Sequence, residues 1–355
     1  MKKAIVAMSG GIDSSVCALL MKNEGFDTTG VTLRMYDESL PEYAASGCCN
    51  SKDIADAQKI AQRLGITHVV YDYCDNFCKY VIDDFVNSYK YGSTPNPCVE
   101  CNCHVKFKAI LDMAEKQGFD CVATGHYAIV EYSEKYGRKV LKKALDETKD
   151  QSYVLYILTP EQLSKIMFPL GRFKKSEIKK IAEENGFEVA RKKESQDICF
   201  IKDGDYAKFI ESYSGEKFES GDFVSEDGRI LGKHKGIIHY TIGQRKGLGL
   251  SLPEPLYVKY KDVENNRIVL APENSLFTDE LYAGNVNLLA YDILPDNIEV
   301  FVKTRYKHTP SRASACMKDG RLYIKFYEPQ RAITKGQSAV MYDSDGVVIG
   351  GGKIL

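Results

Sequence analysis

The sequence contains no tryptophan and no apolar stretch long enough to cross a bilayer. The second absence excludes more, because a membrane-spanning helix needs about 20 predominantly apolar residues. The opening MKKAIVAMSGG has a basic flank but only a five-residue apolar run before Ser9, too short for a signal peptide. A cytoplasmic location is therefore expected. Net charge is also scarce, at −1 over 355 residues, so the whole-chain balance points to no partner. No second Cys-x-x-Cys pair stands at zinc-finger spacing, which disfavours a structural zinc.

What is present is a globular composition, 44% apolar and 27% charged, in a chain long enough for two or three domains. Eleven cysteines without an export signal argue against a disulfide framework and for metal-binding or catalytic thiols. Cys17 and Cys121 sit in apolar runs and read as small core residues. Charge is unevenly spread. Gly228 to Lys261 holds seven Lys or Arg against one acid, and Lys303 to Lys335 holds nine against two. That asymmetry suggests a polyanion partner for the C-terminal half.

The first part of the chain alternates strand and helix. KKAIVAM, TTGVTLRM, THVVYDY and DCVATGH read as strands. DSSVCALLMKNEG, SKDIADAQKIAQRLG and VKFKAILDMAEKQG read as the helices between them. Such alternation implies a doubly wound parallel sheet, with ligands beyond the carboxyl ends of its strands. From about Lys202 the pattern changes to short alternating strands joined by turns such as Asp227-Gly228 and Asn265-Asn266. The expected units are residues 1–202, an α/β domain; 203–272, a small central β-rich domain; and 273–355, a C-terminal β-sandwich or barrel.

AMSGGIDSS, Ala7 to Ser15, lies between the first strand and the first helix. Two glycines let backbone N–H groups turn inward as an anion nest, and the following helix adds its positive end. The loop is neither a Walker A nor a G-x-G-x-x-G sequence. It resembles the pyrophosphate loop of the ATP pyrophosphatases, which split ATP between the α and β phosphates. That resemblance implies that Asp13 helps to hold Mg²⁺ on the leaving pyrophosphate.

TPNPCVECN, ATGHY, KDQSYVLY, ESQDICFI, YTIGQRKGLG, VKTRY and KGQSAV follow in order. Together with SGGIDSS they resemble the tRNA-specific 2-thiouridylase family over essentially the whole chain. The resemblance implies that ATP adenylates the C2 oxygen of the wobble uridine in tRNAs for Lys, Glu and Gln, and that sulfur then replaces it. It places the persulfide on Cys199 and a partner thiol at Cys101. It implies ATP contacts at Ala7, Met8, Ser9, Gly10, Gly11, Ile12, Asp13, Ser14, Leu33 and Gly125. Asn96, Pro97 and Cys98 fall where the flipped target base is read. His126, Lys149, Asp150, Gln151, Arg305, Tyr306 and Gln337 match tRNA-contacting positions, and Arg245 and Lys246 suit phosphate contacts. A cysteine desulfurase or relay protein is the implied sulfur donor.

One departure stands out. The family commonly carries an aspartate where this chain has Cys98, so the aspartate's acid–base role does not transfer. Cys98, Cys101 and Cys199 offer an alternative, a [4Fe–4S] cluster acting as sulfur carrier. Two rival functions remain open to the sequence: a ligase or amidotransferase with a small-molecule acceptor, and a non-catalytic RNA-binding protein. Cys48, Cys49, Cys74 and Cys78 have no assigned role.

Overall fold

The computed structural model describes residues 1–35, 51–191, 198–201 and 204–355. Cys48, Cys49 and Glu194 to Asp197 of the ESQDICFI motif lie outside the described residues.

Chain order begins with β1 (Lys3–Ala7), β2 (Asp27–Arg34), β3 (Thr67–Asp72) and β4 (Cys121–Ala123). A hairpin, β5 (Ile129–Ser133) and β6 (Arg138–Lys142), precedes the short β7 (Ile166–Met167). β1, β2, β3, β4 and β7 form one parallel sheet in the order β3-β2-β1-β4-β7. The KAIVA run of β1 is apolar on both faces because both are covered. Ala4 and Val6 join a core with Val16, Ala61 and Ile178, while Ile5 joins the opposite core with Phe85 and Ile110. The chain leaves β1 for β2 on one side and later returns to β4 on the other. The crevice between the ends of β1 and β4 is therefore the topological switch point, where such sheets bind ligands.

β8 (Gly221–Ser225), β9 (Ile230–His234), β10 (Tyr257–Asp262) and β11 (Arg267–Ala271) make a second sheet, ordered β10-β11-β8-β9. The turns at Asp227-Gly228 and Asn265-Asn266 join its two hairpins, with Gly228 and Asn266 at positive φ. This sheet packs Phe223, Val258 and Ile268 onto the core that contains Ile5 and Phe85. The last six strands are β12 (Phe277–Leu288), β13 (Ile298–Lys303), β14 (Ser311–Lys318), β15 (Arg321–Arg331), β16 (Ser338–Tyr342) and β17 (Val348–Ile354). They close into a barrel, β12-β15-β14-β13-β16-β17. Closure leaves no free edge, and Leu281, Val300, Ile324 and Met341 fill the interior. Among the described residues no helix is long and apolar enough to cross a membrane.

The seam between the first and second sheets buries an unusual cation. The Lys261 ammonium on β10 lies 5.3 Å from the centre of the Tyr89 ring and has no hydrogen-bond partner among the described residues. Burial pulls its pKa down to about 8. The unfolded chain then holds more protons than the folded one between about pH 8 and the ordinary lysine value near 10.4. Stability should accordingly rise across that interval. Lys261→Met should remove this rise and stabilise the fold below pH 8 by up to roughly 3 kcal/mol, as read from denaturant titrations at pH 7 and pH 10.

Candidate nucleotide and thiol site

The phosphate loop turns at the end of β1. Gly10 has φ +70°, and a Cβ there would lie 2.2 Å from the Asp53 carbonyl oxygen. Glycine is thus required both by the left-handed backbone and by the close approach. Inside the loop the Ser9 amide donates to Ser14 Oγ at 3.1 Å, and Ser14 Oγ donates to the Gly11 carbonyl at 3.1 Å. The helix Ile12–Asn23 starts directly behind, with Asp13 in its first turn. Across the crevice Gly125 packs on this turn so closely that a Cβ would stand 2.8 Å from the Asp13 carbonyl carbon.

A cleft opens at this switch point. Ala7, Met8, Ser9, Asp13, Ser14, Leu33 and Gly125 line it, together with Val31, Met35 and Ile110. The polar loop and the apolar wall match the two ends of an adenine nucleotide. Gly10, Gly11 and Ile12 shape the loop without lining the cleft. Sequence reasoning missed Lys106 and Thr124 on the cleft wall, and placed His126 and Gln151 on tRNA although both also line this cleft. His126 packs against Phe107 and Phe168, and its Nδ1 is 2.7 Å from Thr124 Oγ1. Burial, with Lys106 nearby, holds its pKa down to about 3, so it is a neutral imidazole at physiological pH. Gln151 is fixed by two bonds to the Tyr127 backbone.

Two further residues escaped sequence reasoning. The Lys175 ammonium donates to both Asp13 oxygens at 2.7 Å, and the Tyr127 hydroxyl donates to Asp13 Oδ1 at 2.8 Å. Lys175 sits 162 positions from Asp13 at the start of an ordinary amphipathic helix, Lys175–Glu184, where no local pattern marks it.

The cysteine stretch is helical from its second proline onward. A helix begins at Pro97, capped by Asn96, whose side chain accepts from the Cys98 amide at 3.1 Å. It runs through a π-helical segment, Cys101–Lys106, into the helix Phe107–Gln117. Cys98 is exposed and Cys101 buried. Cys199 is half-buried and packs against the apolar cluster that contains Cys101, anchored by Phe200 among Phe77, Phe85 and Phe209. The two thiols, about a hundred residues apart in sequence, thus share one cluster. Among the described residues no group of three or more potential metal ligands comes together.

The barrel reaches this region directly. Gln337 Nε2 donates to the Thr94 and Pro95 carbonyls at 2.8 and 3.3 Å, and the Thr94 amide donates to the Lys335 carbonyl at 2.9 Å. Arg305 donates to the Ile242 and Ala332 carbonyls, tying the barrel to the loop that carries Arg245 and Lys246. Burial, with Asp150 and Cys98 adjacent, pushes the Tyr306 hydroxyl up to about 12. Asp150 is itself buried and accepts from the Ala144 and Ser152 amides, while Lys149 next to it bonds Asp146 through its backbone amide. Asn96, Pro97, Cys98, Asp150, Tyr306 and Gln337 therefore gather at one junction. The excess of basic residues counted along the barrel is smaller in space. Lys325 pairs with Asp279, Arg312 with Glu299 and Arg331 with Glu273, acids that lie outside the counted stretch.

A pair of glycine variants tests the loop. Gly10→Ala should abolish binding of adenine nucleotide measured by equilibrium titration. Gly11→Ala should leave binding within a few-fold, because its φ is −99° and a Cβ would meet nothing nearer than Ser9 Oγ at 3.7 Å.

Comparison with known proteins gives one answer along the whole chain. Residues 2–203 match the tRNA methyl transferase HUP domain, 207–272 the tRNA methyl transferase PRC-barrel domain, and 278–354 the aminomethyltransferase beta-barrel domain. A tRNA-specific 2-thiouridylase MnmA 1 of Thermoanaerobacter sp. (strain X514) is 47% identical over 355 residues, covering 99% of this chain and 97% of the relative. The tRNA-specific 2-thiouridylase MnmA of Clostridioides difficile (strain 630) is 45% identical over 354 residues, at 99% and 98% coverage. That of Acetivibrio thermocellus is 44% identical, covering 99% of both chains. With full-length relatives at this identity, and a fold that places the phosphate loop at the switch point, the chain belongs to the tRNA-specific 2-thiouridylase family.

Proposed function

We propose that this protein is an ATP-dependent tRNA 2-thiouridylase that adenylates the C2 oxygen of the wobble uridine and replaces it with persulfide sulfur. The observation that carries this reading is the continuous helix from Pro97 to Gln117. It begins with Cys98 and Cys101 and continues to Lys106 and Ile110 on the nucleotide cleft. Cys101 and Ile110 stand nine residues apart along it. One rigid rod thus links thiol chemistry to nucleotide binding.

Val31, Leu33, Met35 and Ile110 would cover the adenine, and the Ser9–Gly11 nest with the helix end behind it would take the phosphates. Asp13 would hold Mg²⁺, which supplies charge neutralisation on the leaving pyrophosphate. A single carboxylate suits this cation, since Mg²⁺ draws most of its ligands from phosphate and water. The uridine O2 attacks the α phosphorus, the α–β anhydride bond breaks, and pyrophosphate leaves. The terminal sulfur of a Cys199 persulfide then bonds to C2, and the C2–O bond breaks as AMP departs with the oxygen. The Cys101 thiolate next attacks the Cys199 sulfur, releasing the thiouridine and leaving a Cys101–Cys199 disulfide. A cellular thiol reductant restores both thiols. Their common apolar cluster supports this pairing.

The same reading divides the chain at 1–202, 203–272 and 273–355, with the barrel holding tRNA. It takes Asn96, Pro97 and Cys98 to the target base. His126, Lys149, Asp150, Gln151, Arg305, Tyr306 and Gln337 go to the rest of the tRNA. Gathering of several of these residues around Thr94–Cys98 supports the assignment. Substrates are tRNAs for Lys, Glu and Gln, sulfur comes from a cysteine desulfurase directly or by relay, and the reaction takes place in the cytoplasm.

Incubation with ATP, Mg²⁺, a persulfide source and unmodified tRNA should yield 2-thiouridine, AMP and pyrophosphate. Cys199→Ser should lower thiouridine at least roughly a thousand-fold while pyrophosphate release continues. An unchanged yield would remove the proposed sulfur route, and ATP turnover indifferent to tRNA would favour a small-molecule acceptor.

A further inference from the structure

Lys175 is the one basic side chain among the described residues seen to hold the carboxylate of the phosphate loop. Its ammonium is 2.7 Å from both oxygens of Asp13 and lies 5.6 Å from the centre of the Tyr127 ring, whose hydroxyl donates to the same carboxylate. The lysine side chain is only 10% exposed and that of Asp13 34%, so the pair lies where water screens it poorly. Lys175 opens the helix Lys175–Glu184, and its own amide donates to Asp146 Oδ2 at 2.9 Å. The stem is thus anchored at the backbone while the ammonium reaches the loop.

This geometry has an electrostatic consequence. A divalent cation that approaches Asp13 alone meets an ammonium already bonded to both oxygens, and must displace it or bear its repulsion. A polyphosphate in the adjoining nest gives the ammonium an alternative anion, and so frees the carboxylate for the metal. We propose that Lys175 couples the two ligands: it opposes binding of a divalent cation alone, favours binding of polyphosphate alone, and makes the pair bind together. The inference rests on the reading of the loop as a polyphosphate site. By linkage, whatever the polyphosphate does for the metal, the metal does equally for the polyphosphate.

The test uses the full chain and two probes applied separately. Mn²⁺ binding is followed by electron paramagnetic resonance without nucleotide, and metal-free inorganic pyrophosphate binding by calorimetry. Loss of a charge-assisted contact is worth roughly ten- to a hundred-fold in affinity. Lys175→Met should bind Mn²⁺ tighter and pyrophosphate weaker, each by about that factor, and Lys175→Arg should keep both close to wild type. A general structural defect would weaken both ligands, so the opposite signs identify the coupling. Should Lys175→Met not fold, Lys175→Gln, a neutral side chain that can still donate to Asp13, carries the same two expectations. Equal affinities in wild type and the neutral variant, or two changes of the same sign, would overturn the proposal. Gly10→Ala serves as the loop control. If wild type binds neither pyrophosphate nor adenine nucleotide, or binds them unaffected by Gly10→Ala, the loop reading itself fails, whatever Lys175 does.

Discussion

Three hydrogen bonds between Thr94–Pro95 and Lys335–Gln337 fix the point from which the rest of the site is measured. Thr94 and Pro95 precede the helix cap at Asn96, so the barrel turn before β16 sets where the cysteine-bearing helix begins. That helix in turn forms one wall of the nucleotide cleft. Gly336 takes φ +91°, and a Cβ there would press on Ser93 and Thr94. The barrel and the helix start are therefore in backbone contact.

Much of this was legible in sequence, for identifiable reasons. β1 is a dense apolar run ended by paired glycines, and that pattern admits few structures other than a buried parallel strand and a tight anion-binding turn. The Asp-Gly and Asn-Asn turns announced their hairpins because positive φ restricts which residues fit. The helix read from Val105 starts earlier, at Pro97, a start that is concealed because Pro95 and Pro97 look like breakers. Yet Asn before Pro is also a cap followed by the first helical position, where proline is welcome.

What stayed hidden depends on tertiary approach. Lys175 and Asp13 meet across 162 positions, and nothing in the local composition of either segment encodes the meeting. The basic excess of the barrel is smaller in space for a related reason. A window of sequence counts bases without the acids that neighbouring strands bring opposite them. Packing is similarly invisible: nothing in the sequence shows that Phe107 and Phe168 meet His126, and Lys261 looks like one more surface lysine until the second sheet packs over Tyr89.

The π-helical segment between the thiols and the cleft sets a rotational phase. An α-helix advances 100° per residue, whereas the i→i+5 bonds of a π-helical turn hold more residues per turn and advance each of them by less. Cys98 and Ile110 therefore owe their relative azimuth to the extra backbone packed into Cys101–Lys106. Removing a single residue there would leave both ends helical and both faces chemically intact. A return to α-helical bonding would absorb the loss, so the wide turn is one residue of slack laid between the thiols and the cleft.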